Sequence, residues 1–295
     1  MSLAPDAVAG VIYDIGYRKY EGARLGRGYA FRTLYVHSLR SAFGLGRGGR
    51  ALWIPWMLFA FICFPSAMSV AASAFTGGMA NLMSYDDVFA FVSLVIALFC
   101  AAQAPELVSR DQQYRVLPLY FSRPLPAREY AGAKLLAMWT AVVILVLTPL
   151  LILLVGRLAM GADFVAAVKA ESKYFLPILA TPVVAALGIG TPALALASLV
   201  QRRWLATAAA FGFFFITVPI AGILTEILEG DAQRYAVLIN PIFAVGGAIL
   251  ALFGAKADGV LKDATEHPEV FGLTVAALAV ISIAILAWRY RRMTV

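Results

Sequence analysis

The sequence predicts an all-α membrane protein with six transmembrane helices, and three observations predict it. Hydrophobic residues make up 62% of the 295 and charged residues 14%, against about 45–50% and about 25% in soluble domains. Six uncharged runs, Leu52–Ala74, Val88–Pro105, Leu135–Gly156, Phe175–Val200, Trp204–Thr225 and Val270–Trp288, approach or exceed the roughly 20 apolar residues that cross a bilayer. The basic residues between these runs fall on one side.

With six spans, 18 of the 24 Lys and Arg lie in the segment up to Ala51, the 105–134 loop, the Gln201–Arg203 turn and the C-terminal stretch, while 11 of the 17 acids lie opposite. Lys and Arg concentrate on the cytoplasmic side of membrane proteins. The expected location is therefore the cytoplasmic membrane, with both termini cytoplasmic. The net charge of +7 follows from this sidedness, and no nucleic-acid partner is expected. The organisation read from this is a cytoplasmic tail, 1–51, then a membrane domain, 52–295. Within the latter, 105–134 is a cytoplasmic loop and 226–269 an extracellular segment.

The opening stretch, MSLAPDAVAGVIYDIGYRKYEG, has no basic region leading into an apolar one and does not read as a secretory leader. Tyr29–Leu45 places Phe31, Leu34, Tyr35, Leu39, Ala42 and Phe43 at helical spacing with Arg32 and Arg40 between, the pattern of an amphipathic helix on the membrane surface. The following GLGRGGR, Gly44–Arg50, fits G-x-G-x-x-G, but no strand precedes it and a span follows it, so it reads as a basic hinge rather than a dinucleotide loop.

A seventh uncharged run, Tyr235–Ala255, contains Asn240-Pro241 and Gly246-Gly247, poor residues for a helix facing lipid. Crossing here would also move the basic C-terminal stretch to the acidic side. A re-entrant or surface-lying helical pair between the fifth and sixth spans is expected instead, since irregular backbone at membrane depth needs protein or water around it. Ala186/Gly190, Ala208/Gly212 and Gly272/Ala276 set small residues four apart, a spacing that lets helices approach, and Pro182, Pro192 and Pro219 predict bends.

Catalytic machinery is not legible. His37 and His267 stand apart from other ligands, Cys63 and Cys100 lie within apolar runs, and no H-E-x-x-H, G-x-S-x-G or G-x-x-x-x-G-K-[ST] occurs. No metal or cofactor site is expected in the chain. Glu106, Arg157 and Glu226 stand at span ends, where they read as interfacial charges, and the threonines within the spans read as back-bonded to the preceding turn. Carriers that harvest a gradient need ionisable groups at depth, so a transport protein of this composition needs an outside source of energy.

That source has one place to act. Pro105–Lys134 is the only long polar segment between two spans on the basic side. It mixes the charge pairs Arg110/Asp111 and Arg128/Glu129 with the apolar patch Val116, Leu117, Leu119, Tyr120 and Phe121, and exposed clustered apolar surface marks a docking site.

The same residues resemble a family. Glu106, Arg110-Asp111, Leu117–Phe121, Ser122-Arg123-Pro124-Leu125 and Lys134 are similar to the coupling loop of type-2 ABC exporter permeases, and Ile12–Arg27 resembles the opening of actinobacterial members. Tyr114-Arg115 replaces the usual Gly-Thr before the coupling helix. The resemblance implies a permease that pairs with an identical or related second permease subunit. It also implies a separate ATPase (nucleotide-binding) subunit that binds ATP and Mg. The residues it assigns to ATPase coupling are Glu106, Arg110, Asp111, Tyr114, Arg115, Leu117, Leu119, Tyr120, Phe121 and Arg123. Where this class places its central pathway, Phe99, Gln103, Phe211, Phe215 and Thr217 become cavity-lining candidates, with aromatic packing as the alternative. The expected cargo is hydrophobic or amphipathic: drug, antibiotic, lipid or peptide. The alternatives are an ATPase-independent scaffold or channel and an intramembrane lipid- or peptide-processing enzyme.

Overall fold

The computed structural model describes Gly22, residues 25–46, 48–77, 82–114, Leu117, Tyr120, and residues 125–161, 163–256, Leu261 and 267–292. Among them every regular element is helical, and six helices are long and apolar enough to cross a membrane: Leu52–Phe75, Tyr85–Gln113, Ala127–Met160, Phe164–Leu199, Arg203–Ile227 and Pro268–Arg292. The second and fourth spans are the most enclosed, and the first and fifth the most exposed.

Helix α1 (Arg27–Ala42) precedes the first span. Its apolar stripe faces inward as its spacing predicts, with Leu34, Ala42 and Phe43 buried and Phe31, Tyr35 and Leu39 packed beside them. Arg32, His37 and Arg40 stay exposed. The stripe rests on the second and third spans, and the Tyr35 hydroxyl lies 3.0 Å from Thr140 Oγ1. The first span, α2 (Arg50–Phe75), keeps Leu58, Ile62 and Ser66 inside and leaves Trp53, Met57, Phe61, Phe64, Met68 and Phe75 exposed. An all-apolar helix of this kind belongs in lipid.

The second span, α3 (Tyr85–Leu107), opens with a capping box between Ser84 and Asp87, and Asp86 joins Asp87 in its first turn; acids there favour the positive end of the helix dipole. It breaks at Val108 into the short α4 (Ser109–Gln113). The third span, α5 (Ala127–Met160), starts well before the uncharged run, at the N-cap Pro126. Its buried stripe runs Tyr130, Lys134, Ala137, Ala141, Leu145 and Leu153, the three-and-four spacing of one helical face.

The fourth span joins α6 (Phe164–Glu171), α7 (Phe175–Ala185) and α8 (Thr191–Leu199). Its irregularity falls on a π segment, Ala186–Gly190. The fifth has the same form: α9 (Arg203–Phe211), a π segment at Gly212–Ile216, and α10 (Thr217–Ile227). Pro192 and Pro219 have no N–H to offer the carbonyls four residues earlier, at Gly188 and Phe215, so the α ladder cannot continue there. Side chains bond backbone carbonyls at both bulges. Thr191 Oγ1 donates to Ala186 O at 3.1 Å while accepting from Trp139 Nε1 at 2.9 Å. The Asn240 amide donates to Phe214 O at 2.9 Å and to Thr217 Oγ1 at 2.8 Å. Other span threonines bond back to the turn before, Thr148 to Ile144 O and Thr181 to Pro177 O among them, as the sequence suggests.

The seventh apolar run is a broken pair: Ala232–Ile239, which overlaps α11 (Asp231–Ala236), meets α12 (Pro241–Phe253) at 111°. Ile242, Ala244, Val245, Gly247, Ala248 and Ile249 are buried against the second, fourth and sixth spans. Asn240 makes the break possible, because its Oδ1 accepts from the N–H groups of Ile242 (2.8 Å) and Phe243 (3.1 Å) while Pro241 begins the helix. A Cβ on Gly247 would come within 2.3 Å of the Phe271 ring of α13 (Pro268–Arg292), and one on Gly188 within 2.2 Å of Val245. These close approaches seat α12. The small pairs behave differently from one another. Gly190 packs on Val142 and Met138, whereas Ala208, Gly272 and Ala276 are exposed, and among the described residues a Cβ on Gly272 would meet nothing within 4 Å.

A polar clamp closes the end of the bundle where the second span starts. The Tyr85 hydroxyl donates to Glu171 Oε2 at 2.7 Å, and Arg157 donates to Met83 O at 2.6 Å. Arg157 also sits 3.7 Å from Glu171 and 4.4 Å over the Tyr85 ring. The simple interfacial reading of Arg157 is thus corrected: it is a half-buried tie between three spans.

Candidate coupling site

The loop predicted to receive an external push begins in α4, and its polar side chains reach across the bundle. The last turn of the fourth span presents carbonyls that the α ladder does not fill. Side chains from elsewhere bond them: Ser109 Oγ donates at 2.8 Å to Ala197 O, which also accepts from Val200 N–H, and Gln112 Nε2 donates to Ser198 O at 3.0 Å. Arg289 of the sixth span reaches the same Ser198 O at 3.3 Å. Ser109 and Gln112 are both buried.

Asp111 connects α4 to the third span. It lies 2.8 Å from Lys134 Nζ and accepts from the Tyr130 hydroxyl at 2.6 Å. Lys134 keeps only 6% of its side chain exposed, so this is an ion pair inside protein, not a rim contact. The Tyr130 ring in turn packs between Tyr120, centroid 5.5 Å away, and Tyr290 of the sixth span, 5.3 Å away. Glu106, at the end of the second span, is also buried. It pairs with Arg203, the first residue of the fifth span, and Arg110 approaches it at 3.9 Å. Arg27 of α1 pairs with Glu129 of the third span.

Three expectations change here. Glu106 reads in sequence as an interfacial charge but is shielded, with 3% of its side chain exposed. The neighbours Arg110/Asp111 and Arg128/Glu129 are not each other's partners, since Arg110 turns to Glu106, Asp111 to Lys134, and Glu129 to Arg27. The apolar patch is not wholly outward: Leu117 is buried and Tyr120 half-buried against Tyr130. Tyr114 is exposed. Arg115, Val116, Leu119, Phe121, Ser122, Arg123 and Pro124 lie outside the described residues, as does Ile12–Glu21 of the opening stretch.

The cavity-lining candidates divide. Phe99 is fully buried with its ring 6.0 Å from that of Phe43, the residue that follows α1, which is aromatic packing. Phe211 and Phe215 stack on each other at 4.4 Å along the fifth span, and Thr217 belongs to the Asn240 connection. Gln103 lines a cleft of about 300 Å³ between the first, second and fifth spans, with Ile54, Pro55, Glu106, Arg110, Tyr114 and Arg203 around it. Sequence reading missed Ser109, Gln112, Tyr130, Arg203, Arg289 and Tyr290 as members of the α4 network. Their only sequence signal is position, each within a turn or two of a span end on the basic side.

No family model matches this chain, and no protein of established function matches it in sequence.

Proposed function

We propose that this chain is the membrane subunit of an ATP-driven exporter, similar to type-2 ABC permeases. On this reading its termini are cytoplasmic. It pairs with an identical or related subunit, and a separate ATPase carrying ATP and Mg docks on the 105–134 loop. The cargo is a hydrophobic or amphipathic molecule. The observation that supports the reading is the reach of α4: one short helix holds side chains or carbonyls of the third and fourth spans, and Glu106 beside it holds the fifth. Force applied there reaches the bundle through hydrogen bonds and ion pairs, and apolar spans then repack between two arrangements. The chain itself supplies no catalytic group to this scheme.

The test is reconstitution with the nucleotide-binding subunit that co-purifies with the tagged protein, comparing ATPase stimulation for wild type, Leu119→Asp and Tyr120→Asp. Uncoupling in both variants, with the fold retained by thermal melting, supports docking on this loop. Normal stimulation removes the loop from the mechanism, and purification without any ATPase favours a scaffold or channel.

A further inference from the structure

The cleft beside Gln103 has the features of a ligand site independent of any ATPase. Gln103 is 5% exposed, and no described residue hydrogen-bonds its buried Oε1. A buried amide oxygen without a donor is costly, and the residue that carries this one lines an open cleft rather than a sealed core. Across from it stand two guanidiniums. Arg203 is paired with Glu106 but keeps 60% of its side chain exposed; Arg110, 47% exposed, stands 3.9 Å from the same carboxylate, beyond hydrogen-bond distance. Two guanidiniums against one carboxylate leave one net positive charge among these lining groups. Arginine is the residue suited to phosphate oxygens. Ile54 and Pro55 of the first span and Ala102 of the second add an apolar wall, and Gln113 and Tyr114 complete the lining.

We infer that this cleft binds a monoanionic phosphodiester bearing a free hydroxyl and an apolar tail. The phosphate meets Arg110 and Arg203, the hydroxyl donates to Gln103 Oε1, and the tail runs along Ile54 and Pro55. A membrane lipid with a glycerol-type headgroup has this chemistry, and basic pockets between spans are where headgroups bind. A soluble hydroxylated phosphate ester shares the polar half without the tail.

The experiment uses the purified full chain in a phosphate-free detergent, titrated with dioctanoyl phosphatidylglycerol, dioctanoyl phosphatidylcholine and glycerol 3-phosphate, and read by native mass spectrometry and thermal melting. Phosphatidylglycerol is expected to bind, with phosphatidylcholine about tenfold weaker because it lacks both net charge and hydroxyl. Gln103→Met and Arg110→Gln should each weaken phosphatidylglycerol by about tenfold. The ligand-free Gln103→Met protein should melt at or above wild type, because that change removes an unpartnered polar atom. Equal displacement of the lipid by glycerol 3-phosphate assigns the site to a soluble ester. Equal affinity for the two lipids, unchanged affinity in the Gln103→Met variant, or a lower ligand-free melting temperature for it overturns the inference.

Discussion

Lys134→Met is the sharpest test of the α4 network, because it removes one charge of a shielded pair and leaves the helix otherwise intact. At 2.8 Å the attraction between Lys134 and Asp111 is about 6 kcal/mol at an effective dielectric of 20. Desolvation of both ions offsets most of this, so the pair's net contribution is small. Removing one member is different, since it strands the other and costs about 3–5 kcal/mol. Asp111 retains 17% exposure and its bond from Tyr130, which places the expected loss near the lower end, at about 3 kcal/mol. Asp111→Asn should cost less, because the amide oxygen still accepts from Tyr130. The double variant, lacking both charges, should lose less than the sum of the singles by about 2 kcal/mol. Equilibrium unfolding in mixed detergent and SDS measures all four proteins. Strict additivity, or a Lys134→Met loss under about 0.5 kcal/mol, the range of ordinary surface changes, would refute the view that this pair is enclosed and coupled.

Two further outcomes follow from the broken helix. Asn240→Ala removes two capping bonds to α12 and the amide donor to Phe214 O, and a lost cap plus a stranded buried carbonyl should cost about 2–4 kcal/mol; a melting temperature equal to wild type would show that Asn240 does not hold the break. Gly247→Ala forces a methyl group to within 2.3 Å of the Phe271 ring, and overpacking of this sort costs about 1–3 kcal/mol; the same melting assay reads it, with an unchanged value indicating that α12 and the sixth span are not in contact.

The spans were legible because crossing a bilayer imposes one requirement, a long uncharged run, and each run lies almost wholly within a helical span, most of them longer than the run itself. The break at Asn240-Pro241 was legible for the same reason, since proline and paired glycines are poor choices for a helix facing lipid. What sequence could not supply was pairing. Arg110 and Asp111 are adjacent in the chain, but neighbours on a helix point about 100° apart, so each finds a partner elsewhere. Glu106 looked interfacial because burial depends on Arg203, nearly a hundred residues later. Phe99, Phe211 and Phe215 are all aromatic residues in spans, and no local feature separates a ring packed on Phe43 from rings stacked along an exposed helix. The π segments left a faint trace in Pro192 and Pro219, though which side chain would serve the freed groups depended on tertiary placement.

The distribution of these polar ties says which parts of the bundle can move cheaply. The second, third and fourth spans are joined at one end through Ser109, Gln112 and Asp111 and at the other through Tyr85, Arg157 and Glu171. Separating them means opening buried hydrogen bonds and ion pairs at both ends. Among the described residues the fifth span adds no bond to the second clamp, and the first touches it through Ser69 Oγ, which accepts from Met83 N–H at 2.9 Å; these two spans are the least enclosed of the six. The fifth is held by Glu106–Arg203 at one end and by Asn240 at its π segment, with apolar packing between, where sliding exchanges one set of dispersion contacts for another. If the chain is an exporter as proposed, the second to fourth spans form the frame, and the first and fifth, the least enclosed, are the parts placed to move. The cleft at Gln103 opens between frame and mover, so an occupant there biases that displacement only by differing in affinity between the two arrangements.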